Sequence, residues 1–205
     1  MNHPSFVRAA GRWFLMLSVG ALLALLSARC GGPPHRGIAP AQDPAKAAAA
    51  WSVVYEVLQH PRCVNCHPAG DTPLQGDASL PHAQNVQRGS DGQGLFALRC
   101  SDCHQDVNLS GAHLPPGAPH WQLPPPDMPL VFQGRSSAEL CRQLMDPAQN
   151  GGRTLEQLYE HMAHDPLVLW GWSPGDGREP IALPHAEFLA ALRSWIDHGC
   201  GCPTD

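Results

Sequence analysis

The five-residue pattern C-x-x-C-H occurs twice in this 205-residue chain, and it constrains the fold more than any other feature. The copies are Cys63-Val64-Asn65-Cys66-His67 and Cys100-Ser101-Asp102-Cys103-His104. In this pattern the two thiols add to the vinyl groups of a haem, and the adjacent histidine becomes the proximal ligand of its iron. The sequence therefore predicts two haem c groups, with thioethers at Cys63, Cys66, Cys100 and Cys103 and proximal ligands at His67 and His104.

Two other interpretations use the same cysteines. Paired C-x-x-C motifs are also typical of zinc sites, so the four cysteines could form a structural zinc site. Zinc is disfavoured because both pairs are followed directly by histidine and because the chain begins with an export signal. A thioredoxin-like redox pair is disfavoured because no β-α-β pattern surrounds either motif.

The N-terminus has the pattern of a secretory signal. Arg8 and Arg12 precede a nearly continuous apolar run over residues 13–28, and no acidic residue occurs before Asp43. The run is short for a membrane span and long enough for a signal h-region. We expect residues 1–30 to be a cleaved signal peptide, a lipoprotein signal ending at Cys30 or an N-terminal anchor, and residues 31–42 to be a flexible tether. Each alternative places the remainder in the bacterial periplasm or cell envelope.

The charge of the remaining chain limits its partners. Residues 31–205 contain 10 Lys and Arg against 18 Asp and Glu, a formal charge of −8. This balance argues against binding to nucleic acid or to anionic membrane surfaces. It permits electrostatic steering toward a basic patch on a redox partner protein.

Helical patterns flank the two motifs. Asp43 and Pro44 are a good N-cap and first turn for a helix through Gln59. Capping boxes at Ser136–Glu139 and Thr154–Gln157 predict two more helices, and apolar spacing predicts a fourth over Pro184–His198.

There is no strand pattern of useful length. With 20 Gly and 22 Pro in the chain, the predicted fold class is mainly α: a small multi-haem cytochrome c-like domain over residues 43–205, with long Pro/Gly-rich haem-wrapping loops and two haems in one core.

A sixth ligand at each iron would distinguish an electron carrier from a gas-binding protein or a peroxidase. His82 lies between the motifs, and His113 follows the second motif by nine residues, so we predict these two as distal ligands. Met128, within a proline-rich segment over residues 115–129, and His164 are the reserve candidates. His161 and His164 lie one turn apart, so at most one of them is expected to face an iron.

The proline-rich segment has two interpretations. It is either a polyproline-like linker or a stiff loop wrapped over a haem face. Trp121 and Leu123 favour the loop, because linkers seldom carry large apolar side chains. Among the remaining cysteines, Cys141 could pair with Cys200 or with Cys202 in an oxidising compartment.

The chain resembles small bacterial di-haem c-type cytochromes, including a set described as isoquinoline 1-oxidoreductase-type subunits. The likeness spans about residues 57–203 and rests on both haem motifs, with the flanking Leu58–Pro68, and on Asn85–Gly89, Leu114–Gly117, Asn150–Arg153 and His164–Trp172. The resemblance implies a cytochrome that receives electrons from a periplasmic molybdenum hydroxylase or exchanges them with another cytochrome.

These observations predict a periplasmic or membrane-tethered electron-transfer protein that performs no substrate chemistry. One alternative is a small peroxidase-like haem enzyme with one open iron site, although no acid–base pair stands out near either motif. The other alternative is an exported binding module stabilised by zinc.

Overall fold

All four predicted helices are present in the computed structural model, which describes residues 42–204. The predicted signal or anchor (1–30) and residues 31–41 of the predicted tether lie outside the described residues. The helices in the described part are α1 (Pro44–Leu58), α2 (Pro61–Val64), α3 (Ser137–Met145), α4 (Leu155–His164), α5 (Pro166–Leu169) and α6 (His185–Asp197). Two 3₁₀ turns span Cys100–Asp102 and Trp170–Trp172.

The strands of residues 42–204 form two minimal antiparallel ladders. Strand β1 (Leu74–Gln75) pairs with β2 (Leu80–Pro81), with Leu74 opposite Pro81. Strand β3 (Gly94–Leu95) pairs with β4 (Leu98–Arg99), with Gly94 opposite Arg99. The described residues are therefore partly helical with few strands, and the cytochrome c-like character of the fold stays a prediction.

Helices α1 and α6 form the centre of the hydrophobic core. Each presents an apolar stripe at helical spacing, and Trp51 of α1 meets Trp195 of α6 with ring centroids 5.0 Å apart. Both side chains are almost completely buried. The Trp51 indole also donates to the Ser137 hydroxyl at 2.9 Å, which fixes α3 against the same core.

Two prolines that follow helices also begin new ones. Pro61 follows α1 and occupies the first position of α2, and Pro166 follows α4 and opens α5. Proline suits a first helical position because its missing N–H has no intrahelical partner there. The short α2 that results contains Cys63, the first cysteine of the first motif.

A disulfide joins Cys141 of α3 to Cys202, after the end of α6. This settles the pairing that the sequence left open, and Cys200 is a buried free thiol. The bridge attaches the C-terminal segment to the core across 61 residues. None of the helices in residues 42–204 is both long and apolar enough to cross a membrane.

Replacing both Cys141 and Cys202 with alanine should lower the free energy of unfolding by about 2–4 kcal/mol, because the unfolded chain loses a cross-link over a long loop. Guanidinium titration of the oxidised protein, followed by far-UV circular dichroism, measures the change. Cys200→Ala is the matched control, because its sulfur is not bridged. Equal stability of the double variant and the control would contradict the stabilising role of the bridge.

Candidate functional site

The two C-x-x-C-H motifs are built on different local structures. The first motif begins within α2. The ring of His60 caps the start of this helix by accepting a hydrogen bond from the Arg62 amide at 3.2 Å. The second motif begins in the 3₁₀ turn Cys100–Asp102, and its Asp102 carboxylate accepts from the Arg99 amide at 2.8 Å. A backbone hydrogen bond closes a turn between the two cysteines of each motif: the Cys66 amide donates to the Cys63 carbonyl and the Cys103 amide to the Cys100 carbonyl, both at 3.2 Å.

The motif histidines make the same hydrogen bond. Nδ1 of His67 lies 2.7 Å from the carbonyl oxygen of Leu130, and Nδ1 of His104 lies 2.7 Å from that of Pro116. A carbonyl only accepts, so Nδ1 carries the proton in each ring and Nε2 has the free lone pair. A histidine whose other ring nitrogen is held in this way is oriented as a metal ligand.

Burial keeps both rings neutral. It lowers the pKa of His67 to about 4, with the Leu130 hydrogen bond opposing the shift. It also lowers the pKa of His104, against the opposing effect of the Pro116 hydrogen bond. Metal ligation requires the neutral imidazole, so both motif histidines are in the ligating form at neutral pH.

Each motif histidine also stacks on an aromatic ring from a distant segment. His67 lies against Phe132 with ring centroids 3.9 Å apart, and His104 lies against Trp121 at 4.4 Å. Trp121 in turn meets Trp170 edge to face at 5.0 Å. Trp121 belongs to the proline-rich segment, so this segment lies against the second motif; its wrapping over a haem face stays a prediction.

A cavity of about 540 Å³ opens beside the second motif. This volume lies in the range of about 300–1,000 Å³ that is usual for ligand sites. Residues of both motifs, two further histidines, two tryptophans and four arginines line it. They are Cys66 of the first motif; Cys100, Cys103 and His104 of the second; His82 and His113; Trp121 and Trp170; and Arg62, Arg88, Arg99 and Arg178.

The two motifs are close neighbours at this cavity. Burial raises the pKa of the Cys66 thiol to about 11, and the Cys100 thiol adds to the increase. Burial likewise raises the pKa of Cys63 to about 12. Cys66 of the first motif and Cys100 of the second line the same cavity, so the two motifs meet there.

Three buried polar atoms in the described part of the chain have no hydrogen-bond partner, and all belong to cavity-lining residues. They are Nε of Arg62, Oδ1 of Asn65 and Nδ1 of His82. A buried polar atom without a partner costs about 1–3 kcal/mol. All three residues line one cavity, where polar groups of a bound molecule could reach them.

The arginines of the cavity are unusual because two of them are buried. The side chains of Arg62 and Arg88 are each 2% exposed. Arg62 pairs with Asp77, and Arg178 lines the same cavity. Burial, followed by the positive charge of Arg62, lowers the pKa of Arg178. The Arg62 guanidinium also lies 5.7 Å from the centre of the Trp170 ring. Sequence reasoning did not single out these arginines, although Arg62 stands directly before Cys63.

The predicted distal ligands occupy different positions. The His82 ring is 6.4 Å from the His104 ring, at 68° to it, and His113 lines the same cavity with a left-handed backbone (φ 66°). Met128 is half-buried, and the described cavity wall does not include it. His164 is 73% exposed and pairs with Glu160. The structure thus brings His82 and His113 to the second motif, and the ligand roles of all four residues stay predictions.

Within residues 42–204, no three His, Cys, Asp or Glu side chains converge as a ready-made metal cluster. A haem iron takes at most two protein ligands, because the porphyrin supplies the other four, so a haem site does not need such a cluster.

Comparison with known proteins adds no identification: no protein-family model, no curated protein and no solved structure matches this chain.

Gly117→Ala should disturb the acceptor of the His104 hydrogen bond. A Cβ at this position would collide with the backbone carbonyls of Val107 and Gln105, and Gly117 follows Pro116 directly. We expect a loss of about 1–3 kcal/mol in unfolding free energy, measured by guanidinium titration. Gly70→Ala is the control, because its Cβ would meet nothing within 4 Å. Equal stability of the two variants would show that the loop yields without strain.

Proposed function

We propose that this chain is an electron-transfer protein of the bacterial cell envelope that carries two covalently attached c-type haems. The observation that carries the proposal is the shared arrangement of the motif histidines. Each holds its Nδ1 proton on a carbonyl 2.7 Å away and keeps Nε2 available. This is how a proximal histidine is oriented toward a metal, and it occurs at both copies of the pattern.

The residues around the second motif fit a haem in chemistry and in size. Trp121 and Trp170 offer large apolar surfaces, and the cavity has the volume of a cofactor site. Arg62 pairs with the carboxylate of Asp77, whereas Arg178 donates to the backbone carbonyls of Leu114, Pro174 and Asp176. A haem propionate would supply a second carboxylate to these two arginines, and the unpartnered Nε of Arg62 could donate to it.

The position of His82 favours a six-coordinate iron at the second motif. Two imidazoles bonded to one metal have ring centres about 6 Å apart, since each metal–nitrogen bond is about 2 Å and each nitrogen lies about 1 Å from its ring centre. The His82 and His104 rings are 6.4 Å apart. A filled sixth position supports an electron carrier over the peroxidase-like alternative, which needs an open one.

The state of the thiols argues against a cysteine redox function. Reactive cysteines have a lowered pKa, because the thiolate is the nucleophile. Here burial raises the pKa of Cys63 to about 12 and that of Cys66 to about 11. A raised pKa leaves little thiolate at neutral pH, which disfavours a thioredoxin-like redox pair at the first motif.

The chain would bind, orient and shield the two cofactors. The cysteines fix them covalently, His67 and His104 hold the irons, and the arginines balance the propionates. Bound haem supplies one-electron redox chemistry. The approach of Cys66 to Cys100 would bring the haem edges together, so that an electron received at one haem can pass to the other within the same protein.

The proposed partner is a redox protein with a basic docking surface, because residues 31–205 carry a formal charge of −8 and the propionates would add to it. The resemblance to di-haem subunits makes a periplasmic molybdenum hydroxylase one candidate and another cytochrome the second.

The first test is the haem content. The chain expressed with intact cytochrome-maturation machinery should carry two haems, measured by the alkaline pyridine assay and by intact mass. The double variant Cys100→Ser with Cys103→Ser should retain one haem, and so should Cys63→Ser with Cys66→Ser. A colourless wild-type protein with the mass of the bare polypeptide would overturn the proposal, and bound zinc in that sample would support the binding-module alternative.

The second test concerns the sixth position of the second haem. His82→Ala should convert one of the two haems from low spin to high spin, because the iron loses its distal imidazole. Ferric absorption and electron paramagnetic resonance spectra measure the change, and carbon monoxide should then bind to half of the haem. His113→Ala is the comparison variant from the same cavity. Conversion in His113→Ala but not in His82→Ala would transfer the ligand role to His113.

A further inference from the structure

Asn108, four residues after His104, joins two loops of the second site through its side-chain amide. Its Oδ1 accepts from the Gly117 amide and from the Trp170 indole, each at 3.0 Å. Its Nδ2 donates to the carbonyl of Ser173, also at 3.0 Å. Two N–H donors face one end of the amide and a carbonyl faces the other end, so an asparagine in this orientation satisfies all three contacts.

The bond to Gly117 fixes the acceptor of the His104 proton. Gly117 follows Pro116 directly, and the carbonyl oxygen of Pro116 lies 2.7 Å from Nδ1 of His104. The carbonyl of Pro116 and the amide N–H of Gly117 belong to one planar peptide unit. Because that unit is rigid, a bond that anchors its N–H also fixes the direction of its carbonyl. Asn108 therefore acts on the His104 ring through a single peptide group.

The bond to Trp170 fixes the aromatic rings beside His104. Trp121 stacks on His104 with ring centroids 4.4 Å apart and 6° between the planes. Trp170 meets Trp121 edge to face at 5.0 Å. The indole N–H is the one polar hydrogen of the Trp170 side chain, and Asn108 accepts it. One amide oxygen thus anchors both the hydrogen bond and the ring contact of His104.

The Asn108 side chain is held in a closely packed position. A Cβ on Gly175 would lie 2.9 Å from Cγ of Asn108, and Gly175 has a left-handed backbone with a φ of 83°. A second hydrogen bond joins the same two segments, since the Gly111 amide donates to the Asp176 carboxylate at 3.1 Å. The loop over residues 173–176 therefore lies directly against the chain that follows the second motif.

We propose that Asn108 is a positioning residue that fixes the orientation and the Nδ1 proton of the His104 ring, and thereby the reduction potential of the second haem. The effect on the potential rests on the proposed di-haem function, whereas the orientation of the ring does not. A firmly held Nδ1 proton increases the basicity of the ligating nitrogen. Hydrogen bonding of this kind is one of the means by which a protein sets the potential of a haem.

The first test observes the His104 ring by nuclear magnetic resonance of the reduced holoprotein, in which low-spin ferrous iron is diamagnetic. Solvent exchange of the His104 Nδ1 proton should be about 2- to 10-fold faster in Asn108→Ala, the factor that one typical hydrogen bond contributes. Asn108→Asp should restore slow exchange, because its carboxylate still accepts from Gly117 and Trp170. An unchanged exchange rate in Asn108→Ala would overturn the proposal.

The second test measures the midpoint potentials of both haems by redox titration. Asn108→Ala should raise one potential, because a loosely held Nδ1 proton makes His104 a weaker donor to ferric iron. The other potential should stay unchanged, and both haems should keep their low-spin spectra because no ligand is removed. Two unchanged potentials would overturn the link between Asn108 and the haem.

Asn150→Ala is the matched control for a purely structural effect. Asn150 is 1% exposed, and its side chain also makes three hydrogen bonds, to the carbonyl of Leu144 and to the carbonyl and amide of Arg153. Neither partner lines the cavity. This variant should lose stability to guanidinium, with both potentials and the His104 exchange rate unchanged. A potential shift as large as that of Asn108→Ala would overturn the proposal, because general loosening would explain both.

Trp170→Phe keeps the test decisive if Asn108→Ala fails to fold. It removes the indole N–H and retains an aromatic ring next to Trp121, so one of the two bonds accepted by Asn108 is lost. Proton exchange at His104 should become faster, and the same potential should rise by a smaller amount. No change in either quantity would overturn the proposal.

The outcomes separate this inference from the function on which it rests. Absence of covalent haem from the wild-type protein would overturn the di-haem function. The exchange measurement on that haem-free protein would then still decide whether Asn108 positions His104. Two haems with unaltered exchange and potentials in Asn108→Ala would overturn the role of Asn108 and leave the di-haem function intact.

Discussion

The hydrogen bond from each motif histidine to a backbone carbonyl is the contact on which the rest of the site depends. It selects the tautomer of His67 and of His104 and fixes the direction of Nε2. Each bond also joins a motif to a remote proline-flanked segment, across 63 residues at Leu130 and 12 at Pro116. A side chain supplies the chemistry in each case, and a rigid loop supplies the orientation.

The two motifs depend on different sources of stability. The first belongs to the helical core, since Val64 is part of the buried cluster and Cys63 packs against it. Between Gln75 and Pro129, no residue contributes to that cluster. This long segment is held by hydrogen bonds such as those of Arg88 to Asp71 and to two backbone carbonyls. An apolar cofactor in the cavity would add hydrophobic contacts to this segment.

Local signals were enough to predict the four longest helices, because capping boxes and helical spacing are contained within a few residues. The C-x-x-C-H pattern is equally local, and haem binding by its residues stays a prediction. The rest depends on contacts between distant segments. No local signal marks Pro116 and Leu130 as the acceptors, or brings Arg178 to Arg62. The same limit applies to His161 and His164, which are equivalent in sequence spacing. They differ in burial and in the contact of His161 with Asp165. Asp165 is in place as the N-cap of α5 because the chain turns at Pro166.

The buried polar atoms around the cavity favour a cofactor over an apolar ligand. A purely apolar molecule would leave Arg62 Nε and His82 Nδ1 without partners and would keep the free energy cost of both. A haem would offer carboxylates that can accept from a guanidinium and an iron that can take a lone pair from an imidazole ring. Arg62 and His82 line the same cavity as His104. The same molecule that the cysteines would bind can therefore satisfy the charge, the hydrogen bonding and the ligation of this cavity together.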